Sequence, residues 1–234
     1  MTSVPTKLQQ VHDRIASACA AAGRPVQAVT LLAVSKTFGA EAVREAAAAG
    51  QRAFGENYVQ EALDKIRATA DLGLEWHLIG PLQSNKARLV AEAFDWVHSI
   101  DRLKIAQRLS EQRPAGRAPL QVCLQVNISG EASKSGLAPA DVPALARAVA
   151  ALPRLQLRGL MAIPEPQGDF AAQRAPHRAL RALWQGLRDD GLALDTLSIG
   201  MSADLEAAIA EGATIVRIGT AIFGSRPAAA VAAP

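Results

Sequence analysis

Aromatic residues are scarce in this chain: they make up 4% of its 234 residues, and Tyr58 is the single tyrosine. The core must therefore be built from Ala, Leu, Val and Ile, and the length suits one compact domain or at most two small ones. The net charge is +3, but the basic residues form no tract and do not alternate with aromatics. We therefore expect no nucleic-acid-binding surface.

Cysteine is equally rare. Cys19 falls in a helical pattern and Cys123 in a strand pattern, so both are expected to be small core residues. Their spacing matches neither a disulfide framework nor a metal site, which is typical of a reducing compartment. The sequence shows no secretory signal pattern and no apolar run long enough to cross a bilayer. These absences predict a cytoplasmic protein that does not enter the membrane.

Strand-like segments alternate with Ala-, Glu- and Arg-rich segments of helical spacing. After a predicted helix over residues 4–22, the predicted strands are 30–35, 52–55, 75–80, 96–100, 120–127, 155–163, 196–200 and 214–224. The predicted helices between them are 40–49, 59–69, 85–93, 102–112, 140–152, 170–189 and 203–211. This order predicts the α/β class and a single closed (β/α)8 barrel of the TIM type with an extra N-terminal helix.

An open doubly wound sheet is the alternative fold. Such a sheet typically has a Gly-rich turn after the first strand, but the sequence there is Ser35-Lys36-Thr37-Phe38, which contains no glycine. No linker or repeat of fixed period divides the chain. We predict one domain over residues 1–226 and an Ala/Pro-rich tail over residues 227–234, which we expect to be disordered. A self-contained barrel without an exposed apolar stripe predicts a monomer.

Lys36 ends the apolar run of the first predicted strand. Burial lowers the pKa of a lysine and favours the neutral amine, which is the form that makes a Schiff base with an aldehyde. The alternative is a lysine that reaches solvent from a strand end. Because active sites of this barrel type lie at the C-terminal ends of the strands, Lys36 is a candidate site residue.

The last two βα units carry the parts of a phosphate site. Ser202 begins a predicted helix after strand seven, and Gly219 and Thr220 lie on strand eight, the two loops between which such barrels often hold a phosphate. An ordinary helix cap at Ser202 and a strand bend at Gly219 are the alternatives. Arg217 lies on the same strand among apolar residues, so its guanidinium needs a partner. A carboxylate such as that of Glu56, or a ligand nitrogen, could be the partner of this guanidinium.

Strands one and eight of a closed barrel are neighbours, so Lys36, Arg217 and the phosphate site are expected to lie together. One small molecule with an aldehyde, an aromatic nitrogen and a phosphate would satisfy all three. Pyridoxal 5′-phosphate (PLP) has these groups, and its sites use a lysine Schiff base and a partner at the ring nitrogen. The sequence therefore predicts PLP as the cofactor.

The chain also resembles a known family, the pyridoxal phosphate homeostasis proteins, relatives of the alanine racemase barrel. The matching segments are residues 32–37, 54–61, 76–86, 125–136, 158–163, 197–204 and 216–224, and the resemblance spans about residues 8–226. It implies a Schiff base at Lys36, with Arg217 facing the pyridine nitrogen and Asn57 near the ring. It also implies phosphate contacts from Ser202, Gly219 and Thr220.

Two functions remain open after this resemblance. The first is a carrier that binds and buffers PLP and delivers it to apo-enzymes, which would be transient partners. The second is a PLP-dependent amino-acid racemase or a related enzyme. A cation at the pyridine nitrogen weakens the cofactor as an electron sink, and related racemases draw a catalytic tyrosine from a second domain that is not evident here. We therefore place the carrier first.

Three further residues need an interpretation. His77 and His98 follow one another on adjacent predicted strands, and no third ligand has the spacing of a metal site. We interpret both as satisfied core or rim histidines, with a proton shuttle as the alternative. Lys134, in the polar loop 129–136, is either a solvated lysine or a transfer point for PLP.

Overall fold

The eight strands form one closed parallel barrel in the order β1 to β8. The structure is a computed structural model that describes residues 3–130 and 135–224. Its strands are β1 Thr30–Val34, β2 Ala53–Glu56, β3 Glu75–Leu78, β4 Trp96–Ile100, β5 Leu120–Gln125, β6 Leu155–Met161, β7 Thr196–Ser198 and β8 Ile215–Ile218. The predicted barrel is therefore confirmed, and the open sheet is excluded.

Helices follow the strands around the outside. They are α1 Val4–Ala21, α2 Ala40–Ala48, α3 Val59–Ala68, α4 Ala87–Ala93, α5 Leu103–Gln112, α6 Val142–Ala150, α7 Phe170–Asp189, α8 Leu205–Ala210 and α9 Thr220–Phe223. Short 3₁₀ turns lie at Val26–Ala28, Ala70–Leu72, Ser84–Lys86 and Pro139–Asp141. The N-terminal helix α1 is the predicted extra helix, and it packs against α8, α9 and α2.

Local signals set the ends of the two longest helices. The Ser3 hydroxyl accepts a hydrogen bond from the Thr6 N–H at 3.4 Å, and a proline occupies the first turn of α1. The Asp169 carboxylate accepts one from the Ala172 N–H at 2.9 Å at the start of α7. These side chains satisfy backbone donors that have no partner inside the helix, which is why each helix begins where it does.

The barrel has two apolar regions because strand side chains alternate between its inside and its outside. The larger region lies between the strands and the helices and includes both Phe54 and Cys19. The smaller region fills the lumen with Leu32, Val34, Ala53, Ile79, Trp96, Cys123, Met161 and Ile215. Both cysteines are buried and free, as the sequence predicted. Burial raises the pKa of the Cys123 thiol to about 12, so it remains protonated.

The end of the chain differs from the prediction. The eighth strand stops at Ile218 rather than at residue 224, and Thr220–Phe223 forms a short helix after it. Its apolar residues suggested a longer strand, but Ile222 and Phe223 are buried from helix α9 instead. The sixth strand likewise ends at Met161 rather than at residue 163.

Two predictions fall on residues that the structure does not describe: the tail over residues 227–234, and Lys134 in the loop 129–136. Within residues 3–130 and 135–224, no helix is both long and apolar enough to cross a membrane. Across the same residues, no group of three or more His, Cys, Asp or Glu side chains is placed to hold a metal ion.

Gly159 allows β6 and β7 to approach each other closely. Gly159 lies opposite Cys123 on β5, just after a shift in register, and opposite Thr196 on β7. A Cβ atom at Gly159 would lie 1.7 Å from the Thr196 carbonyl oxygen, whereas one at Gly186, inside α7, would meet nothing within 4 Å.

We expect Gly159→Ala to lower the free energy of unfolding by about 2 kcal/mol or more, because the new methyl group overlaps backbone. Gly186→Ala is the matched control and should raise it by about 0.5–1 kcal/mol, because alanine favours the helix. Denaturant unfolding of both variants measures this. Equal stability of the two variants would contradict the close approach.

Candidate functional site

Lys36 lies two residues past the end of β1, in the turn that leaves the barrel. Its side chain is half-buried rather than fully buried as the apolar run suggested. Ser35 is fully buried, and its hydroxyl donates to Glu56 at 2.6 Å on the outer side of the barrel. The turn therefore carries Lys36 at the mouth of the barrel, between solvent and the lumen.

A buried ionic network fixes the residues on either side of Lys36. The Lys65 ammonium donates to the Ser35 carbonyl at 2.7 Å and to carboxylate oxygens of Glu56 and Glu61, each at 2.6 Å. Glu61 also accepts from the Thr37 N–H at 2.6 Å. All three donors of the ammonium are used, and the turn is anchored before and after Lys36.

Thr37 has a φ of 70°, which is uncommon for a β-branched residue and costs of the order of 1–3 kcal/mol. The bond from its N–H to Glu61 holds it there. Sequence reasoning missed this network. The available signal was Lys65 itself, which stands three residues after the buried Ala62 on the inner face of α3.

Glu56 does not pair with Arg217, contrary to one of the options that the sequence left open. It faces α3, where it bonds Ser35 and Lys65. Burial raises the pKa of its carboxyl group, and the hydrogen bonds from Lys65 and Ser35 only partly offset this. Its second oxygen, Oε2, is buried and has no hydrogen-bond partner among the described residues.

Arg217 lies inside the barrel, and the residue is only 4% exposed. It donates to the Ser198 carbonyl, to the Ser198 hydroxyl at 2.8 Å and to the Ala162 carbonyl at 2.8 Å. These partners are uncharged. Burial lowers the pKa of Arg217 to about 10, although the Asp204 charge partly offsets this, so Arg217 remains a cation. The guanidinium is thus fixed in direction and keeps its positive charge.

The residues predicted to hold a phosphate lie beyond β7 and β8. Gly200 has a φ of 93°, and a Cβ atom there would lie 2.6 Å from the Ala208 Cβ. Gly219 precedes α9, and a Cβ atom there would lie 3.1 Å from the Val34 carbonyl oxygen. Ser202 is half-buried and Thr220 is exposed. We call Gly200, Ser202, Gly219 and Thr220, which follow the neighbouring strands β7 and β8, the cradle.

Two acidic residues near this cradle have partners within the protein. Asp204, and not Ser202, occupies the N-cap position of α8, without a side-chain capping bond. Its carboxylate accepts from the Met201 N–H at 2.7 Å and bonds His177 at 2.9 Å. Burial alone would raise the pKa of Asp204, but these hydrogen bonds lower it, so it stays ionised. Glu206 forms an ion pair with Arg14 at 2.8 Å. Neither carboxylate is committed to the cradle.

Asn57 follows β2, the strand next to β1 on the side away from β8. It lines a cavity of about 230 Å³ together with residues from the ends of β3, β5 and β6. A Cβ atom at Gly80 would lie 2.2 Å from the Asn57 carbonyl oxygen, and the Ser99 hydroxyl holds the Gly80 carbonyl at 2.6 Å. The predicted site residues thus lie at one mouth, with Lys36 between Asn57 and the cradle in the order of the strands.

Comparison with known proteins identifies the family. The model of the alanine racemase N-terminal domain matches residues 7–227. The pyridoxal phosphate homeostasis protein of Pseudomonas aeruginosa is 66% identical over 226 residues, covering 97% of each chain. That of Escherichia coli K12 is 58% identical over 229 residues, covering 97% of this chain and 98% of the relative.

Solved structures agree. PipY of Synechococcus elongatus with PLP bound is 41% identical, with a TM-score of 0.83 over 95% of this chain and 100% of that one. An alanine racemase of Clostridium difficile is 14% identical, with a TM-score of 0.70 over 86% of this chain and 53% of that one. This similarity shows a shared fold only. The chain belongs to the pyridoxal phosphate homeostasis protein family, which shares the alanine racemase N-terminal domain.

Proposed function

We propose that this protein binds PLP as a Schiff base on Lys36 and acts in PLP homeostasis, buffering the cofactor and delivering it to apo-enzymes. The observation that carries the proposal is the arrangement at the mouth of the barrel. Pairing of β1 with β8 sets Leu32 opposite Arg217, so that the turn with Lys36 and the Gly219 cradle follow neighbouring strands. An amine, a cation and the cradle thereby follow neighbouring strands at the same end of the barrel.

The residues fit the groups of PLP one by one. Lys36 faces the aldehyde, Arg217 the ring nitrogen, and Ser202, Gly219 and Thr220 the phosphate, while Asn57 lies beside the ring. The glycine at position 219 supports this assignment, since a residue without a Cβ atom lets backbone N–H groups approach an anion closely. Bound PLP supplies an electrophilic aldehyde and an electron-withdrawing ring.

Arg217 favours a carrier over an enzyme. A cation directed at the pyridine nitrogen disfavours protonation of the ring, which weakens the electron sink that amino-acid chemistry needs. Tyr58, the only tyrosine, precedes α3 and is 58% exposed, so it is not held beside Lys36 as a second base by packing. A racemase-like activity is therefore the second candidate.

The relatives support the same assignment. The curated proteins that resemble this chain along nearly its whole length are named for PLP homeostasis, and the PipY structure contains PLP.

A cytoplasmic monomer remains our prediction. Among residues 3–130 and 135–224, the exposed large apolar side chains are Val26, Tyr58, Ile163 and Phe170, and they lie on separate segments of the chain.

Borohydride reduction followed by peptide mapping tests the attachment site. With one equivalent of PLP, we expect the reduced adduct on the peptide that contains Lys36, because this amine lies at the mouth of the barrel. Lys36→Ala should bind PLP about tenfold more weakly, since the covalent bond is lost. Lys104→Ala, which removes an exposed lysine from α5, is the control and should bind as the wild type does. Adduct spread over other peptides of the wild type would refute the assignment.

A comparison of PLP with pyridoxal, which lacks the phosphate, tests the cradle. We expect Ser202→Ala and Thr220→Ala each to weaken PLP binding by about tenfold, because a hydrogen bond to a charged group contributes about 1.5–3 kcal/mol. Pyridoxal should bind each variant within about twofold of the wild type. Ser17→Ala, on the exposed side of α1, is the control. Equal losses for both ligands would place the phosphate elsewhere.

Two assays separate a carrier from an enzyme. The PLP-loaded protein is expected to restore activity to an apo-enzyme that needs PLP, and to leave L-alanine unracemised over the same period. Protein loaded and then reduced with borohydride cannot release the cofactor and is the control for transfer. Racemisation that disappears in Lys36→Ala would reverse the order of the two functions.

A further inference from the structure

A chain of hydrogen bonds crosses the lumen and ends at Arg217. The Glu75 carboxylate is hydrogen-bonded to His77 Nε2 at 2.7 Å, and His77 Nδ1 is hydrogen-bonded to His98 Nε2 at 2.9 Å. His98 Nδ1 bonds the Ser198 hydroxyl at 2.8 Å, and that hydroxyl accepts from Arg217 at 2.8 Å. Every heavy-atom distance is that of a well-formed hydrogen bond.

The two ends of the chain lie on different sides of the barrel. Glu75 is the first residue of β3, at the N-terminal face, and its side chain is 48% exposed. His77, His98 and Ser198 are at most 1% exposed. His98 on β4 and Ser198 on β7 do not belong to neighbouring strands, so their bond spans the lumen itself. The chain therefore connects solvent at one face with the interior beneath the mouth.

The direction of every proton in the chain follows from its two ends. Arginine can only donate and an ionised carboxylate can only accept, while a neutral histidine has one donor and one acceptor nitrogen. The ionised Glu75 accepts from His77 Nε2–H, so neutral His77 accepts at Nδ1 from His98 Nε2–H. His98 Nδ1 is then an acceptor, so the Ser198 hydroxyl donates to it, while the hydroxyl oxygen accepts from Arg217. Both rings are thus neutral with the proton on Nε2.

The surroundings favour this neutral arrangement. Burial lowers the pKa of His77 and lowers that of His98 well below its usual value, and Arg217 acts in the same direction on His98. The bond from His77 holds the pKa of Glu75 below its usual range. Trp96 stacks on His77 with ring planes 6° apart and centroids 5.2 Å apart, which fixes the ring plane.

We propose that Glu75, His77, His98 and Ser198 form a positioning network that orients Arg217 toward the cofactor ring and couples the charge of Glu75 to that arginine. This inference rests on the proposed PLP site. The carboxylate polarises each bond in turn, so that the Ser198 hydroxyl becomes a stronger acceptor for the guanidinium. Because arginine accepts no proton, the chain ends at Arg217 and does not carry protons to the cofactor.

The first test uses the cofactor-free protein. Long-range proton–nitrogen NMR spectra of the histidine side chains at neutral pH should show both His77 and His98 neutral and protonated on Nε2. In Glu75→Gln the signals of both rings should shift, whereas in Glu111→Gln, an exposed carboxylate on α5, they should not. A charged ring, or a proton on Nδ1 of either ring, would overturn the proton assignment and with it the network.

The second test is a double-mutant cycle on PLP affinity. Glu75→Gln keeps the size of the side chain and removes its charge, and we expect about threefold to tenfold weaker binding with a changed absorption band of the bound cofactor. In a Ser198→Ala background, Glu75→Gln should cause no further loss, because the link to Arg217 is already cut.

The outcomes separate the two proposals. If the wild type binds no PLP, the proposed function fails, and the cofactor end of this inference fails with it. If the wild type binds PLP and Glu75→Gln matches Glu111→Gln in affinity and absorption, only the network is refuted. Losses that add independently in Glu75→Gln and Ser198→Ala would also refute it, as would a lower thermal stability without any change in the cofactor band.

Discussion

The pairing of β1 with β8 is the constraint on which the site depends. It closes the barrel with Leu32 opposite Arg217 and Ala33 opposite Ile218. Because side chains alternate along a strand, a slip of one residue in this register would turn Arg217 out of the lumen. Gly219, just past β8, also lies close to the end of β1: a Cβ atom there would be 3.1 Å from the Val34 carbonyl oxygen. Closure of the fold and assembly of the site are thus one event.

The two buried cations of this region are treated differently, and the difference has a functional meaning. Lys65 bonds two carboxylates and a carbonyl outside the barrel, so its charge is neutralised by the groups that hold the turn around Lys36. Arg217 bonds carbonyls and a hydroxyl, which fix its direction without neutralising it. A buried charge without an ionic partner is costly for the empty protein. A ligand with an electron pair at that point would recover part of this cost.

The sequence predicted the barrel, its strand order and the mouth at which the candidate residues meet, because strand patterns and the rule for strand ends are local signals. It did not predict how Arg217 is satisfied, since Ser198 and Ala162 lie 19 and 55 residues away and their contact is purely tertiary. The strand predicted over residues 214–224 failed for a related reason: apolar residues read equally well as a strand or as a short helix packed on the barrel.

Stability alone does not account for the polar lumen. Apolar residues such as Leu32, Trp96 and Met161 fill the rest of it. The four linked polar groups could be replaced by apolar residues without leaving Arg217 Nη1 unpaired, because it also donates to the Ser198 carbonyl. A buried polar chain is tolerated only when every member is satisfied, and here a single direction of protons satisfies all of them. That direction exists because a donor-only group, Arg217, lies at one end and an acceptor-only group, Glu75, at the other. The two histidines are therefore intelligible only together with Arg217, the donor at the end of their chain.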